Sequence, residues 1–302
     1  MNFDNKPISF APKPLEENPD KIEYLLLKVK FARRNRPIMS DFKDIYTEEE
    51  IEQDKQKIKE YQDKWSEEKD AHDNFRQKKS DIYEAAVIDV LGENGIFGEG
   101  GEVIPASRYD DIFSGIDGVF VQRNEEDNFQ YLLGLNMDVT FSSTDNTLEK
   151  KIESIKQSIR VGVLPTLKYF QDPKTKEHKK ISLPKIIIGS SESSADGLIK
   201  LWGETNKDNS EALKNHPIQS QVVMEGLIEL MYFYNFSKNL LEHTQEEDMK
   251  EKYNDICYKY GQMYNYFHSI YESKKDLIES HHDGISKDIV YKKLLSLTKG
   301  KI

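Results

Sequence analysis

The chain is short of cysteine and of long apolar runs. Its single cysteine, Cys257, excludes an internal disulfide and is typical of a protein from a reducing cytoplasm. No stretch approaches the roughly 18 consecutive apolar residues of a membrane span, so we expect no membrane helix. The first ten residues, MNFDNKPISF, lack the charged and apolar regions of a secretion signal. These absences together predict a cytoplasmic protein.

Positive charge is also in deficit. The 43 lysines and arginines are outnumbered by 54 aspartates and glutamates, for a formal net charge of -11. This balance argues against a general nucleic-acid coat protein, which needs a broad basic surface. It leaves room for an enzyme with a local basic patch, and the candidates are KVKFARRNR and the Lys174–Lys180 tip, KTKEHKK. Either patch is otherwise an ordinary solvated surface.

Two common catalytic motifs are missing as well. The sequence has no glycine-rich phosphate loop and no serine nucleophile elbow. Nucleotide-dependent phosphate transfer and serine hydrolysis therefore receive no support from local motifs.

The 302 residues are enough for one large domain or two modest ones. Changes in composition and in the spacing of apolar residues divide the sequence into three regions. Residues 1–79 predict an extended arm, over about 1–20, and a charged helix with a thin apolar stripe. Residues 80–200 predict an α/β core, and residues 201–302 predict a helical region that contains a helical hairpin.

The middle region alternates helices and strands. A helix at SDIYEAAVIDVL is followed by three strands, the helix TLEKKIESIKQSIR and two more strands, the last of them in ISLPKIIIGSS. The second helix carries an apolar stripe at helical spacing, formed by Leu148, Ile152, Ile155 and Ile159. This order predicts an α/β fold with a mixed central sheet.

One predicted strand contains an unexpected aspartate. In YLLGLNMDVTFSS, alternate positions from Leu133 to Phe141 are apolar and form one face. Asp138 falls on the other face, between Asn136 and Thr140, because successive strand side chains point to opposite sides. The aspartate therefore leaves the apolar face intact.

Two further acids occupy comparable positions. Glu84 lies in the helix before the strands, and Asp117 begins the strand IDGVFVQ. If neighbouring strands pair, Asp117 and Asp138 lie side by side, and two carboxylates about 4 Å apart repel by roughly 4 kcal/mol at an effective dielectric near 20. A proton or a cation must offset that repulsion, and clustered carboxylates suit Mg²⁺, Mn²⁺ or Ca²⁺.

A glutamate in a first helix, an aspartate at GIDGVFV and an aspartate within LGLNMDVTFS resemble the PD-(D/E)XK nuclease superfamily. Segments including TLKYF and LPKIIIG also resemble uncharacterised proteins of bacterial candidate phyla. The superfamily resemblance covers about residues 80–190. It implies a restriction-endonuclease-like core with Mg²⁺ or Mn²⁺ held by Glu84, Asp117, Asp138 and the carbonyl of Val139. It also implies a nucleic-acid substrate, DNA rather than RNA.

The sequence departs from that superfamily at one catalytic position. The superfamily places a lysine two residues after the strand aspartate, and here that position is Thr140. A hydroxyl cannot supply the positive charge that stabilises the reacting phosphate. Lys151 and then Lys150, in the following helix, are the predicted substitutes, with Lys151 preferred because it borders the buried stripe.

Two functions remain open at this point. One is a metal-dependent nuclease that hydrolyses phosphodiester bonds. The other is a catalytically inactive nuclease-like domain that serves as a binding or assembly module, with its helical flanks as the surface for a protein partner.

Overall fold

Helices surround a small sheet in this protein. A computed structural model describes residues 18–67, 71–93, 95–98, 100–123, 132–141, 145–204 and 207–298. The helices are α1 (Pro19–Ala32), α2 (Glu48–Glu67), α3 (Ala71–Glu93), α4 (Arg108–Ser114), α5 (Asp145–Arg160), α6 (Glu192–Gly203), α7 (Lys207–Lys214), α8 (Pro217–His243), α9 (Glu247–Ser273), α10 (Lys275–Ile285) and α11 (Ile289–Thr298). The strands are β1 (Gly101–Pro105), β2 (Gly118–Arg123), β3 (Leu132–Phe141), β4 (Thr166–Gln171), β5 (His178–Ser182) and β6 (Lys185–Ser190).

The central sheet has four strands in the order β1-β2-β3-β6. The first three pair antiparallel, and β6 joins β3 in parallel. A parallel neighbour requires a crossover connection, and α5 lies within it. The predicted α/β architecture with a mixed sheet is therefore confirmed.

The predicted final strand is wrong in one respect: ISLPKIIIGSS forms two strands in two different sheets. Its first part is β5, which pairs with β4 in a separate hairpin, and its second part is β6. Pro184 separates them and has no N–H to continue a ladder. Its carbonyl instead accepts a hydrogen bond from the backbone N–H of Asn136 at 2.8 Å, which places the following residues beside β3 in the central sheet.

The charged N-terminal stretch also differs from the single helix predicted for it. It contains α2 and the beginning of α3, and α3 runs without interruption across the boundary drawn between residues 79 and 80. The predicted extended arm lies outside the described residues up to residue 17, and α1 begins at Pro19.

Residues from all three sequence regions share one apolar core. That core includes Leu25 of α1, Ile82 of α3, Met137 of β3, Phe233 of α8 and Phe267 of α9. A second, smaller apolar cluster covers the other face of the sheet, and it joins Val119 and Val121 of β2 to Leu167, Phe170 and Leu183 around the β4–β5 hairpin. Both faces of the central sheet are therefore buried.

The predicted C-terminal hairpin is formed by α8 and α9, which have the most extensive contact of any two helices in the described chain. Helix α8 also lies along β6, the last strand of the sheet. Three of its side chains, at a spacing of four residues, bond to the β6 backbone: Gln221 to the Gly189 carbonyl, Glu225 to the Gly189 amide and Glu229 to the Ile187 amide. The helix thus satisfies backbone groups that a further strand would otherwise pair.

Within the described residues, we find no helix whose length and apolar character would allow it to cross a membrane.

Candidate active site

The side chain of Asp138 is buried and held between two lysines. The ammonium of Lys151, from α5, bonds to Oδ1 of Asp138, and the ammonium of Lys185, at the start of β6, lies 2.9 Å from Oδ2. The register explains the second contact, because Lys185 is paired with Asn136 and so shares a face with Asp138. Helical phase explains the first, because Lys151 stands one turn after Leu148 on the side of α5 that faces the protein.

A glycine allows these groups to meet. Gly115 ends α4 in the left-handed conformation, with φ of 58°, and a Cβ there would lie 3.2 Å from Nζ of Lys185 and 3.5 Å from Oδ2 of Asp138. Lys185 also donates to the Ser114 carbonyl at 3.1 Å, next to this turn. The end of α4 is therefore part of the wall around Asp138.

Asp117 lies immediately before β2, beside the aspartate of β3. Gly118 is paired with Met137, so one further step along the register places Asp117 next to Asp138. Oδ2 of Asp117 accepts the Val139 amide at 2.7 Å. Because the N–H and C=O of a strand residue point to the same side, the Val139 carbonyl faces the Asp117 side as well.

Glu84 approaches from α3, on the wall of a cavity that Asp117 also lines. Its carboxylate accepts from Arg33 at 3.1 Å and from the Ser80 hydroxyl at 2.9 Å. Helix α3 packs closely at this point, since a Cβ on Gly118 would lie 2.2 Å from Cδ1 of Ile88. The three predicted acids are thus brought to one end of the sheet.

The electrostatics of the three acids differ. Burial, and then the negative charges of Asp111 and Asp138, raise the pKa of Asp117 to about 7 against the opposing effect of Lys151. Burial and then repulsion by Asp117 raise the pKa of Glu84 well above its usual value, although Arg33 opposes this. Asp117 and Glu84 therefore have too little positive charge nearby to offset the increase in their pKa values.

Asp138 behaves in the opposite way. Burial alone would raise its pKa, but the ammonium groups of Lys151 and Lys185 outweigh burial and hold the pKa below its usual value. Reciprocally, the pKa of Lys151 is raised, because attraction to Asp138, and more weakly to Asp117 and Glu84, outweighs the effect of burial. Lys151 is thus electrostatically coupled to all three acids.

The structure also gives the positions of Thr140, which stands at the usual place of the catalytic lysine, and of Lys150, the second predicted substitute for it. Thr140 is buried two residues beyond Asp138 on the same strand and carries no charge. Lys150 is exposed on the outer side of α5, unlike its neighbour Lys151. Of the two proposed substitutes for the absent lysine, the structure brings only Lys151 to the acids.

Sequence reasoning missed three basic residues of this site. Lys185 gave no periodic signal, because it precedes an apolar run and its partner lies on another strand. Arg33 and Arg36 belong to the patch read as surface, but their side chains are only 14% and 15% exposed and pair with Glu84 and Asp111. Asp111, in α4, also belongs to the acidic cluster, because its negative charge raises the pKa of Asp117.

The donor groups fit a divalent ion in part. Among the described residues, no three histidine, cysteine, aspartate or glutamate side chains are arranged to hold a metal. Both oxygens of Asp138 are engaged by lysines, so the predicted set of three acids is not assembled. Glu84 and Asp117 nevertheless share a cavity and have raised pKa values, and Mg²⁺ commonly binds through one or two carboxylates and keeps several waters.

Comparison with known proteins adds no relative: no family model matches the chain, and no curated protein or solved structure matches it.

Proposed function

We propose that the chain is a metal-dependent nuclease of the PD-(D/E)XK type that hydrolyses phosphodiester bonds, with DNA as its substrate. The observation that carries this proposal is the contact of Lys151 with Asp138. It supplies positive charge at the strand aspartate, where Thr140 stands in place of a lysine. The order α3, β1, β2, β3, α5 and parallel β6, with α4 inserted after β1 and the β4–β5 hairpin inserted after α5, supports the same reading.

Each residue has a defined role in this proposal. Glu84, Asp117 and the Val139 carbonyl would hold Mg²⁺ or Mn²⁺, and Asp138 would orient Lys151 and Lys185. A bound divalent ion supplies a water of lowered pKa and neutralises charge on the phosphate. The two ammonium groups stabilise the negative charge that develops during hydrolysis.

A second candidate is a catalytically inactive nuclease-like domain that binds a protein partner. Its support is the engagement of both Asp138 oxygens by lysines, which leaves that acid without a free oxygen for a metal. In this reading the lysines replace the ion, and the helical regions carry the function.

Cleavage assays on single-stranded and double-stranded DNA and RNA distinguish the two candidates. We expect Mg²⁺- or Mn²⁺-dependent cleavage of DNA, and Lys151→Ala should reduce its rate by about 10²–10³-fold, the usual loss for one group that stabilises transition-state charge. Lys150→Ala is the matched control. It should leave the rate unchanged, because Lys150 is next to Lys151 in the sequence but is exposed to solvent on the outer side of α5. The absence of metal-dependent cleavage on every substrate would favour the inactive module.

Thermal melts test the metal site separately from catalysis. A ligand that binds only the folded state adds RT ln(1 + [L]/Kd), about 2.7 kcal/mol at a hundredfold excess over Kd. Mg²⁺ or Mn²⁺ should therefore raise the Tm relative to EDTA, and Asp117→Asn should remove the increase. Lys151→Ala should retain it, because this lysine does not hold the ion. An unchanged Tm in wild-type protein would exclude the proposed metal site.

A further inference from the structure

A second cavity lies at the carboxyl end of β6, at the opposite end of that strand from Lys185. Its walls include Tyr83, Ser194, His216, Gln221 and Asp288, and it has about 190 Å³ of room for the centres of water molecules. One buried water needs about 10–15 Å³ on the same measure. The cavity is therefore large enough for a small organic molecule.

The carboxylate of Asp288, the charged group on the wall, already accepts hydrogen bonds on both oxygens. Oδ2 of Asp288 accepts the Ser191 amide at 2.8 Å and the Ser194 hydroxyl at 3.1 Å. Its Oδ1 accepts the amides of Val290 at 2.8 Å and Tyr291 at 3.3 Å, at the start of α11. A carboxylate offers about four acceptor positions, so Asp288 does not require a cationic ligand, and its charge disfavours an anion.

No other charge faces the cavity from its described lining residues, which include neither lysine nor arginine. The imidazole of His216 is neutral at physiological pH, because burial lowers its pKa to about 4. Its Nδ1 accepts the Ile218 amide at 3.2 Å. The cavity is thus suited to an uncharged molecule.

Gln221 supplies the polar anchor. Its Nε2 donates to the Gly189 carbonyl at 2.6 Å and to Oε1 of Glu225 at 2.9 Å. These two bonds fix the orientation of the amide, so its carbonyl oxygen points away from them. That oxygen accepts no hydrogen bond from the described part of the chain and is open to the cavity, although the residue as a whole is only 4% exposed. A carbonyl in this position favours a ligand that donates a hydrogen bond.

We propose that this cavity binds a small uncharged molecule whose amide or amino N–H donates to Oε1 of Gln221. Its apolar body packs against Leu198, Ile218 and Ile285, which complete the walls. The site is separate from the acids around Asp138 and stands independently of the nuclease proposal.

Calorimetric titration tests the chemistry directly, with benzamide, nicotinamide, adenine and cytosine as the probes. We expect at least one to bind wild-type protein at millimolar concentration or below. Acetophenone is the matched probe for benzamide, because it keeps the ring and the carbonyl but has no N–H. It should bind about tenfold more weakly, the usual effect of one unmade hydrogen bond to a buried acceptor.

Substitutions at the rim of the cavity locate the site. Gly284 is exposed and lines the cavity, and a Cβ on it would meet no atom within 4 Å. Gly284→Trp should weaken the best probe at least tenfold, whereas Gly284→Ala should leave its affinity unchanged. Gln221→Met should weaken the probe about tenfold in protein whose melting shows that it remains folded.

Three results would overturn the proposal. They are the failure of all four probes to bind, equal affinity for benzamide and acetophenone, and unchanged affinity in Gly284→Trp.

Discussion

Asp138 and Glu229 are both buried carboxylic acids in contact with the central sheet, yet their surroundings shift their pKa values in opposite directions. Asp138 lies between two ammonium groups, which hold its pKa below the usual value. Glu229 accepts the Ile187 amide at 3.0 Å, and burial raises its pKa well above the usual value, with further contributions from Glu225 and Asp138. Burial alone therefore does not decide the direction of the pKa shift: the two ammonium groups at Asp138 outweigh burial, whereas the single guanidinium of Arg33 at Glu84 does not.

The two acids also have different structural uses. Asp138 is part of a cluster that combines neighbouring carboxylates with the ammonium groups of Lys151 and Lys185. Glu229 and Glu225 act as hydrogen-bonding groups along the edge of β6, and burial raises both of their pKa values well above the usual value, since no ammonium bonds to either of them within the described chain.

The largest expected effect comes from removing both cations around Asp138. The double variant Lys151→Met/Lys185→Met should lose about 3–5 kcal/mol of unfolding free energy, because it leaves a buried charge without a partner. Adding Asp138→Asn should recover most of the loss, since the amide carries no charge. Urea denaturation measures both changes. A loss below about 1 kcal/mol would mean that Asp138 is not ionised in the folded protein.

The next effect is a dependence of stability on pH. The pKa values of Glu225 and Glu229 are raised in the folded protein, so the folded state binds more protons than the unfolded state above the ordinary value of 4.5. Their stabilising contribution is complete below that value and is lost as the pH rises through the folded pKa. Each of the two groups then lowers the unfolding free energy by up to about 1.4 kcal/mol per pH unit.

Glu229→Gln isolates one of these groups. Its amide carbonyl can accept from Ile187, and its NH₂ takes the place of Oε1, which is buried without a hydrogen-bond partner in the described structure. The variant should have a shallower pH dependence than the wild type between about pH 5 and 8. Asp138 contributes in a separate window, because its lowered pKa makes its stabilisation disappear only as the pH falls below 3.8. An unchanged slope in Glu229→Gln would show that Glu229 is already ionised.

The smallest effect tests the wall beside Asp138. Gly115→Ala places a Cβ at a left-handed position near Lys185 and should cost about 1–2 kcal/mol of unfolding free energy. Gly284→Ala is the control, because its φ is not left-handed and its Cβ meets nothing within 4 Å. Equal stability of the two variants would indicate that the α4 turn relaxes away from Lys185.

The sequence by itself determined the features that depend on local periodicity. Alternation along β3 placed Asp138 away from the apolar face, and helical spacing along α5 distinguished Lys151 from Lys150. The pattern of three strands between two helices predicted the mixed sheet. These features follow from neighbours a few residues apart, whose directions are set by the geometry of a strand or a helix.

The tertiary structure alone decided which groups meet across the fold. Lys185 reaches Asp138 only because β6 pairs with β3 in one particular register, and Arg33 reaches Glu84 only because α1 packs on α3. The division of ISLPKIIIGSS between two sheets and the covering of β6 by α8 have the same origin. Such contacts join residues up to 75 positions apart within the site, as in the pair of Arg36 and Asp111, and no local periodicity encodes them. The direction of the pKa shift of each buried acid therefore could be inferred only from the tertiary structure, which shows the charged partners of that acid.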